Sequence, residues 1–181
     1  CTQELKDILL AARYCKTIER QCHSLPQRLQ CELNNNVEMA DAKDIVMQEH
    51  LKYLTIEQQS QKHDKYLKNN ADVSGLEDGK ELFNKITSPY RGHYILLDVW
   101  GTWCGPCKEA LSHSQELFKS LAPYDVIFMY LANNSPVEAW KNCIHEYKLT
   151  EDNCVHYNLP PNQQAIFERH IKLSSYPAYR L

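Results

Sequence analysis

The sequence predicts an α/β domain behind a helical N-terminal region. Three observations carry that prediction. All five glycines follow residue 74, and seven of the eight prolines lie at or beyond Pro89. Helix breakers are thus almost confined to the second half. Apolar residues in the first half recur at steps of three and four, the period of one helix face. The second half instead carries short unbroken apolar runs on either side of a helical segment, the pattern of parallel strands joined by a crossover helix.

In chain order, Leu5, Ile8, Leu9, Ala12, Cys15, Ile18 and Cys22 form the apolar stripe of a first helix. A second helix starts near Asp41 and carries Ile45, Met47, Leu51 and Leu54. The polar run from Glu57 to Lys65 reads as a solvated face. Ile95 to Trp100, interrupted by Asp98, and Val126 to Leu131 read as strands buried on both faces. Residues 105–121 read as the helix between them. Ser135, Pro136 and Glu138 predict a capping box with Pro at the first helical position. A short strand at Cys154 to Tyr157 and a helix at Pro161 to His170 complete the series. The division is a helical region at 1–72 and an α/β domain at 73–181.

Composition narrows the function classes. With 181 residues, 43% hydrophobic and 24% charged, the chain can build a full core and is not disordered as a whole. The net charge is −3, shared as −1 up to residue 72 and −2 beyond it. Neither part is basic, so no nucleic-acid partner is expected. No apolar run reaches the ~20 residues of a spanning helix. The first residue is Cys1 rather than Met. A lipid on Cys1, as in a mature bacterial lipoprotein, stays open, although helix-like sequence begins at once where a flexible tether is usual.

The chemistry concentrates at Trp100-Gly101-Thr102-Trp103-Cys104-Gly105-Pro106-Cys107. A C-x-x-C after a buried strand and opening a helix is a redox motif. Two intervening residues in a first helical turn bring both sulfurs to bonding distance. The first cysteine then sits at the helix N-terminus, where free N–H groups and the helix dipole favour its thiolate. Pro106 fits that turn because its missing N–H costs little there. Trp100 and Trp103 read as an exposed apolar lip for a substrate chain. The rival readings are a structural zinc half-site or an inert disulfide. Zinc is disfavoured by the lack of a second matching pair. Asp98 interrupts an apolar strand six residues before Cys104. Burial there would raise its pKa, whereas an edge-facing Asp98 would be solvated.

The segment from Leu97 to Lys108 resembles the thioredoxin superfamily almost position by position, and the resemblance runs from about Gly79 to Leu181. The long stretch between Val126 and Pro177 resembles its TlpA/ResA-like branch, bacterial cell-envelope thiol–disulfide oxidoreductases that are often membrane-tethered. Residues 1–72 resemble no named family.

The resemblance implies a thioredoxin-like fold, a central mixed sheet flanked by helices, here with an N-terminal helical extension. The family's closing antiparallel hairpin and last helix are truncated or absent, since Leu181 follows Pro177 by four residues. The extension is expected to cover the apolar face this leaves. The resemblance makes Cys104 an exposed nucleophile, Cys107 the shielded resolving thiol, and Asp98 a proton relay. A lysine common on the family's next strand is lacking between Val126 and Leu131. Ser175 to Tyr179 resembles the family's cis-proline loop, so Tyr176 and Pro177 join Trp103, Gly105 and Pro106 in the expected substrate-binding set. Tyr176 departs from the small or β-branched residue usual before that proline.

The expected function is reduction of protein disulfides in the bacterial periplasm or cell envelope. The partners would be disulfide-bearing proteins and an upstream thiol reductant. No metal is called for, and no cofactor beyond the Cys104–Cys107 disulfide. A dimer through the N-terminal helices and a tether outside the chain stay open. The alternatives are an oxidase or isomerase using the same cysteines, or a non-catalytic binding or assembly module. Of the other cysteines, Cys15 and Cys22 read as core residues. Cys31 could pair with either if the chain doubles back after Pro26. Cys143 and Cys154 read as buried thiols, with a bridge between them the lesser option. The eight histidines form no metal-ligand spacing, and His113 reads as a surface residue.

Overall fold

The computed structural model describes residues 2–62, 65–68 and 70–181. Cys1, and with it the lipid question, lies outside them. Three helices open the chain: α1 (Gln3–Gln21), α2 (Gln27–Asn36) and α3 (Ala40–Ser60). Then come α4 (Gly79–Thr87), β1 (Tyr94–Trp100), α5 (Gly105–Ser112), α6 (Ser114–Leu121), β2 (Val126–Ala132), α7 (Val137–Glu146), β3 (Cys154–Tyr157), α8 (Pro161–His170) and β4 (Ala178–Arg180).

The sheet order is β3-β2-β1-β4. β1 and β3 pair with β2 in parallel, and β4 runs antiparallel on β1. Alternate side chains leave opposite faces. Leu97, Val99, Met129, Leu131 and Val155 pack on one face with Leu82 and Ile86 of α4 and Phe167 of α8. Trp100, Phe128, Tyr130 and Cys154 pack on the other with Leu111 of α5 and Ile144 of α7. The N-terminal helices extend this second core outward. The result is the expected thioredoxin-like mixed sheet between helix layers.

Besides this shared apolar core, polar groups tie the extension down. Tyr53 Oη donates to Glu146 Oε2 at 2.6 Å, and Ser60 Oγ donates to Asn142 Oδ1 at 2.7 Å. Asn142 Nδ2 in turn donates to the carbonyl of Cys22 at 2.8 Å. Glu57, in the run read as solvated, instead accepts from the backbone N–H and hydroxyl of Ser24 at 2.7 and 3.0 Å. His63 and Asp64 of that run lie outside the described residues.

Several expectations need correcting. α1 buries Asp7, Ala11, Tyr14 and Ile18, a face offset by one residue from the apolar stripe. Leu5, Ile8 and Leu9 face solvent. Asp7 takes the inner position because its carboxylate accepts the N–H groups of Glu38 and Met39 at 2.8 and 2.7 Å. α3 shows the same offset, burying Val46, His50 and Tyr53 while Ile45 and Leu51 are exposed. The helix read at 105–121 is two helices broken at His113. Ser135 caps no helix; α7 begins after Pro136 without a side-chain cap. The extension lies against α7 and α5 rather than over the edge beside β4.

Candidate active site

Cys104 and Cys107 are joined as a disulfide at the start of α5. Cys104 is the N-cap, and its Sγ accepts the Cys107 N–H at 3.2 Å. That N–H is one of the donors a helix leaves free at its start, so the sulfur sits where negative charge is stabilised. The expected exposed nucleophile is corrected in this oxidised state. Cys104 is only 5% exposed and Cys107 1%. Both belong to the core cluster that contains Leu111. Gly105 has open space where a Cβ would stand. Pro106 occupies the first turn, as the motif requires.

Of the two tryptophans, Trp100 is fully buried, so it belongs to the core and not to a lip. Trp103 is 51% exposed beside the disulfide. Its indole donates to the Asn133 carbonyl at 3.0 Å and meets the Tyr176 ring edge-on, with centroids 5.3 Å apart. Gly101 makes this placement possible. A Cβ there would stand 2.6 Å from the Trp103 Nε1 and 3.0 Å from the Asn133 carbonyl oxygen. Ser135 also serves this loop: its hydroxyl accepts the Thr102 N–H at 3.0 Å and donates to Asn133 O at 2.9 Å.

The Tyr176–Pro177 peptide is cis. Tyr176 Oη donates to Glu168 Oε1 at 2.5 Å, and the same oxygen accepts from Asn133 and Gln164 at 2.8 Å each. Glu168, Asn133 and Gly101 thus set the rim of the site, and the sequence reading singled out none of them. Asn133 and Glu168 come from separate segments, so no local pattern marks them. Gly101 was visible, as a glycine between two tryptophans.

Asp98 is buried, and burial raises its pKa to about 7. One carboxyl oxygen, Oδ1, has no hydrogen-bond partner. In register, Asp98 stands opposite Tyr130 on β2 and Tyr179 on β4. Tyrosines therefore flank it from both neighbouring strands, and Tyr130 stands on the next strand, where the resemblance implied a lysine. Tyr130 stacks on His156 of β3 at 4.9 Å with planes 8° apart. The ladder Tyr179, Asp98, Tyr130, His156 crosses the whole sheet. His156 is fully buried, and burial lowers its pKa to about 4.

Where the extension meets this rim there is a groove of about 830 Å³. Arg20, His23 and Glu57 line it from one side, and Thr102, Trp103 and Pro136 from the other.

The chain is 28% identical over 89 residues to the thiol-disulfide oxidoreductase ResA of Bacillus thuringiensis (strain Al Hakam), covering 44% of this chain and 51% of that protein. It is 30% identical over 84 residues to ResA of the konkukian subspecies (strain 97-27), covering 41% and 49%. The chain is thus similar to thiol-disulfide oxidoreductases of the thioredoxin superfamily's TlpA/ResA-like branch. It spans about half the length of these curated relatives. Among solved structures, the thioredoxin domain of a Bacteroides vulgatus thiol-disulfide oxidoreductase aligns with a TM-score of 0.44 at 18% identity, over 51% of this chain and 64% of that one. No family model matches. Residues 66–68 pair in parallel with the outer edge of β3, the His156 N–H donating to the Tyr66 carbonyl and the Lys68 N–H to the His156 carbonyl at 2.9 Å each, so part of the region read as 1–72 joins the sheet. The residues before them add three helices and one wall of the groove at Trp103.

Proposed function

We propose that the chain is a thiol–disulfide oxidoreductase that reduces protein disulfides in the bacterial cell envelope. The observation that carries this is the Cys104 sulfur capping α5, bonded to Cys107 and hydrogen-bonded to the Cys107 N–H. In the reduced protein that position favours a Cys104 thiolate at neutral pH. The thiolate attacks a substrate disulfide and one substrate sulfur leaves, giving a mixed disulfide. Cys107 then loses its proton, attacks Cys104, and releases the second substrate thiol. The substrate gains two electrons and two protons, and the pair returns to its oxidised form.

Asp98 is the proton acceptor for Cys107 in this reading. Its burial places the carboxyl near neutrality, where it can both take and return a proton. With no lysine beside it, the flanking tyrosines hold it in an uncharged apolar setting. The groove at Trp103 is the docking place for an extended substrate segment, and Trp103 joins it to Tyr176, which its ring meets edge-on just before Pro177. An upstream thiol reductant must reduce the pair after each turnover. The envelope compartment and a membrane tether are what the branch resemblance implies.

The test is trapping. A Cys107→Ser variant exposed to a disulfide-bearing protein should accumulate a covalent adduct through Cys104 that dithiothreitol releases. A Cys104→Ser variant should give none. Absence of an adduct with both variants folded would refute the reading.

A further inference from the structure

Outside the active site, two buried cysteines from opposite parts of the chain meet. The Sγ atoms of Cys22, the C-cap of α1, and Cys143 of α7 are 3.0 Å apart. The residues are 121 positions apart in sequence, and both are fully buried. Cys22 is held in place by its own backbone. It adopts φ 52° at the helix end, its N–H bonds the Ile18 carbonyl, and its carbonyl accepts Asn142 Nδ2. The ammonium of Lys108, the residue after Cys107, lies 3.0 Å from the Cys22 sulfur and donates to the Glu19 carbonyl at 2.6 Å.

We propose that Cys22 and Cys143 are a second thiol–disulfide couple, whose oxidation bonds the helical extension covalently to the thioredoxin-like domain. The sulfurs need to approach by only about 1 Å to reach bonding distance. The Cys143 thiol donates to Cys22 and stabilises its thiolate, and the Lys108 ammonium adds a hydrogen bond and positive charge. These contacts bring the Cys22 pKa to about 7, whereas the Cys143 pKa is raised. Cys22 is accordingly the attacking sulfur and Cys143 the resolving one. A cleft of about 320 Å³ has Glu19 and Lys108 in its wall, and displacement of the Lys108 side chain would open a way to Cys22.

The oxidant is a low-molecular-weight disulfide. The Cys22 thiolate attacks one of its sulfurs and expels the first thiolate, which takes up a proton. The Cys143 thiol loses its proton to solvent and attacks Cys22, expelling the second thiolate. Two protein thiols are oxidised and one disulfide is reduced to two thiols. The pairing differs from every bridge the sequence left open, because α7 and the end of α1 meet only in the folded chain.

The experiment uses the whole chain, incubated with reduced and oxidised glutathione at graded ratios, alkylated, digested and mapped by mass spectrometry. The expected result is a Cys22 peptide linked to a Cys143 peptide, lighter by two hydrogens than the free pair. It should appear in wild type and persist in a Cys104→Ser/Cys107→Ser variant. In that variant, oxidation should raise Tm by roughly 10 °C, because the bond closes a long loop. Cys143→Ser should abolish the linked peptide and the rise. Both cysteines alkylated at the most oxidising ratio, or Cys22 carrying only glutathione, would overturn the proposal.

Discussion

Trp103 and Tyr176 meet edge-on across the mouth of the active site, their ring centroids 5.3 Å apart. One ring follows the strand that leads into the redox turn, and the other precedes the cis proline. Each is also anchored by a hydrogen bond, Trp103 to Asn133 and Tyr176 to Glu168. Asn133 bonds Glu168 as well, so both rings are set by one network.

Removing Trp103 should weaken docking more than chemistry. Trp103→Ala is expected to lower kcat/KM for a protein disulfide on the order of tenfold, the loss typical of an aromatic anchor. It should leave reduction of a small disulfide nearly unchanged. Gly101→Ala should act in the same direction, since its new Cβ would collide with the indole. Steady-state kinetics on the two substrate sizes check both.

Asp98→Asn should slow the resolving step. The wild-type rate of mixed-disulfide release should rise with pH through about 7, as the carboxyl ionises and can accept a proton. The variant should lose that inflection and be about 10²-fold slower near pH 8. Rapid-quench measurement of adduct decay reads the step directly.

Asp98 and His156 should tilt the stability–pH curve in opposite senses. Between pH 3.8 and about 7 the folded state keeps a proton on Asp98 that the unfolded chain releases. That contribution to stability is therefore lost as pH rises through the window. Between about 4 and 6.5 the unfolded chain protonates His156 while the folded chain does not. That contribution is lost as pH falls. Relative to wild type, Asp98→Asn should gain most Tm above pH 7. His156→Gln should gain relative Tm toward pH 4. Thermal melts from pH 4 to 8 give both slopes.

The extension should depend on Asn142 more than on any exposed apolar residue. Asn142→Ala strands the Cys22 carbonyl and leaves the Ser60 hydroxyl only its bond to the Glu57 carbonyl. The expected cost is about 1–3 kcal/mol. Leu9→Ala should cost little, because Leu9 is 60% exposed. Denaturant unfolding of the two variants makes the comparison.

The redox turn was legible because everything it needs is contiguous: a strand, two cysteines and a helix start within residues 94–112. β3 and α8 were legible in place for the same reason. The N-terminal helices were legible as helices but not in orientation. Periodicity assigns a charged side chain to solvent, and nothing near Asp7 in sequence shows that Glu38 and Met39 will satisfy its carboxylate. α2 went unread within the helical region because its residues Gln27–Asn36 are mostly polar and only Leu33 is buried. The rim network was illegible because Trp103, Asn133, Glu168 and Tyr176 come together only when three separate crossings of the sheet are in place.

The central claim is that Cys104 and Cys107 form a reducing couple. Its most direct test is the reduction potential of that pair, titrated against a thiol buffer with the other six cysteines replaced. The account predicts a low value, near the roughly −270 mV of reducing thioredoxins. A value near the roughly −120 mV of a strong disulfide donor would contradict it and reverse the direction of electron flow.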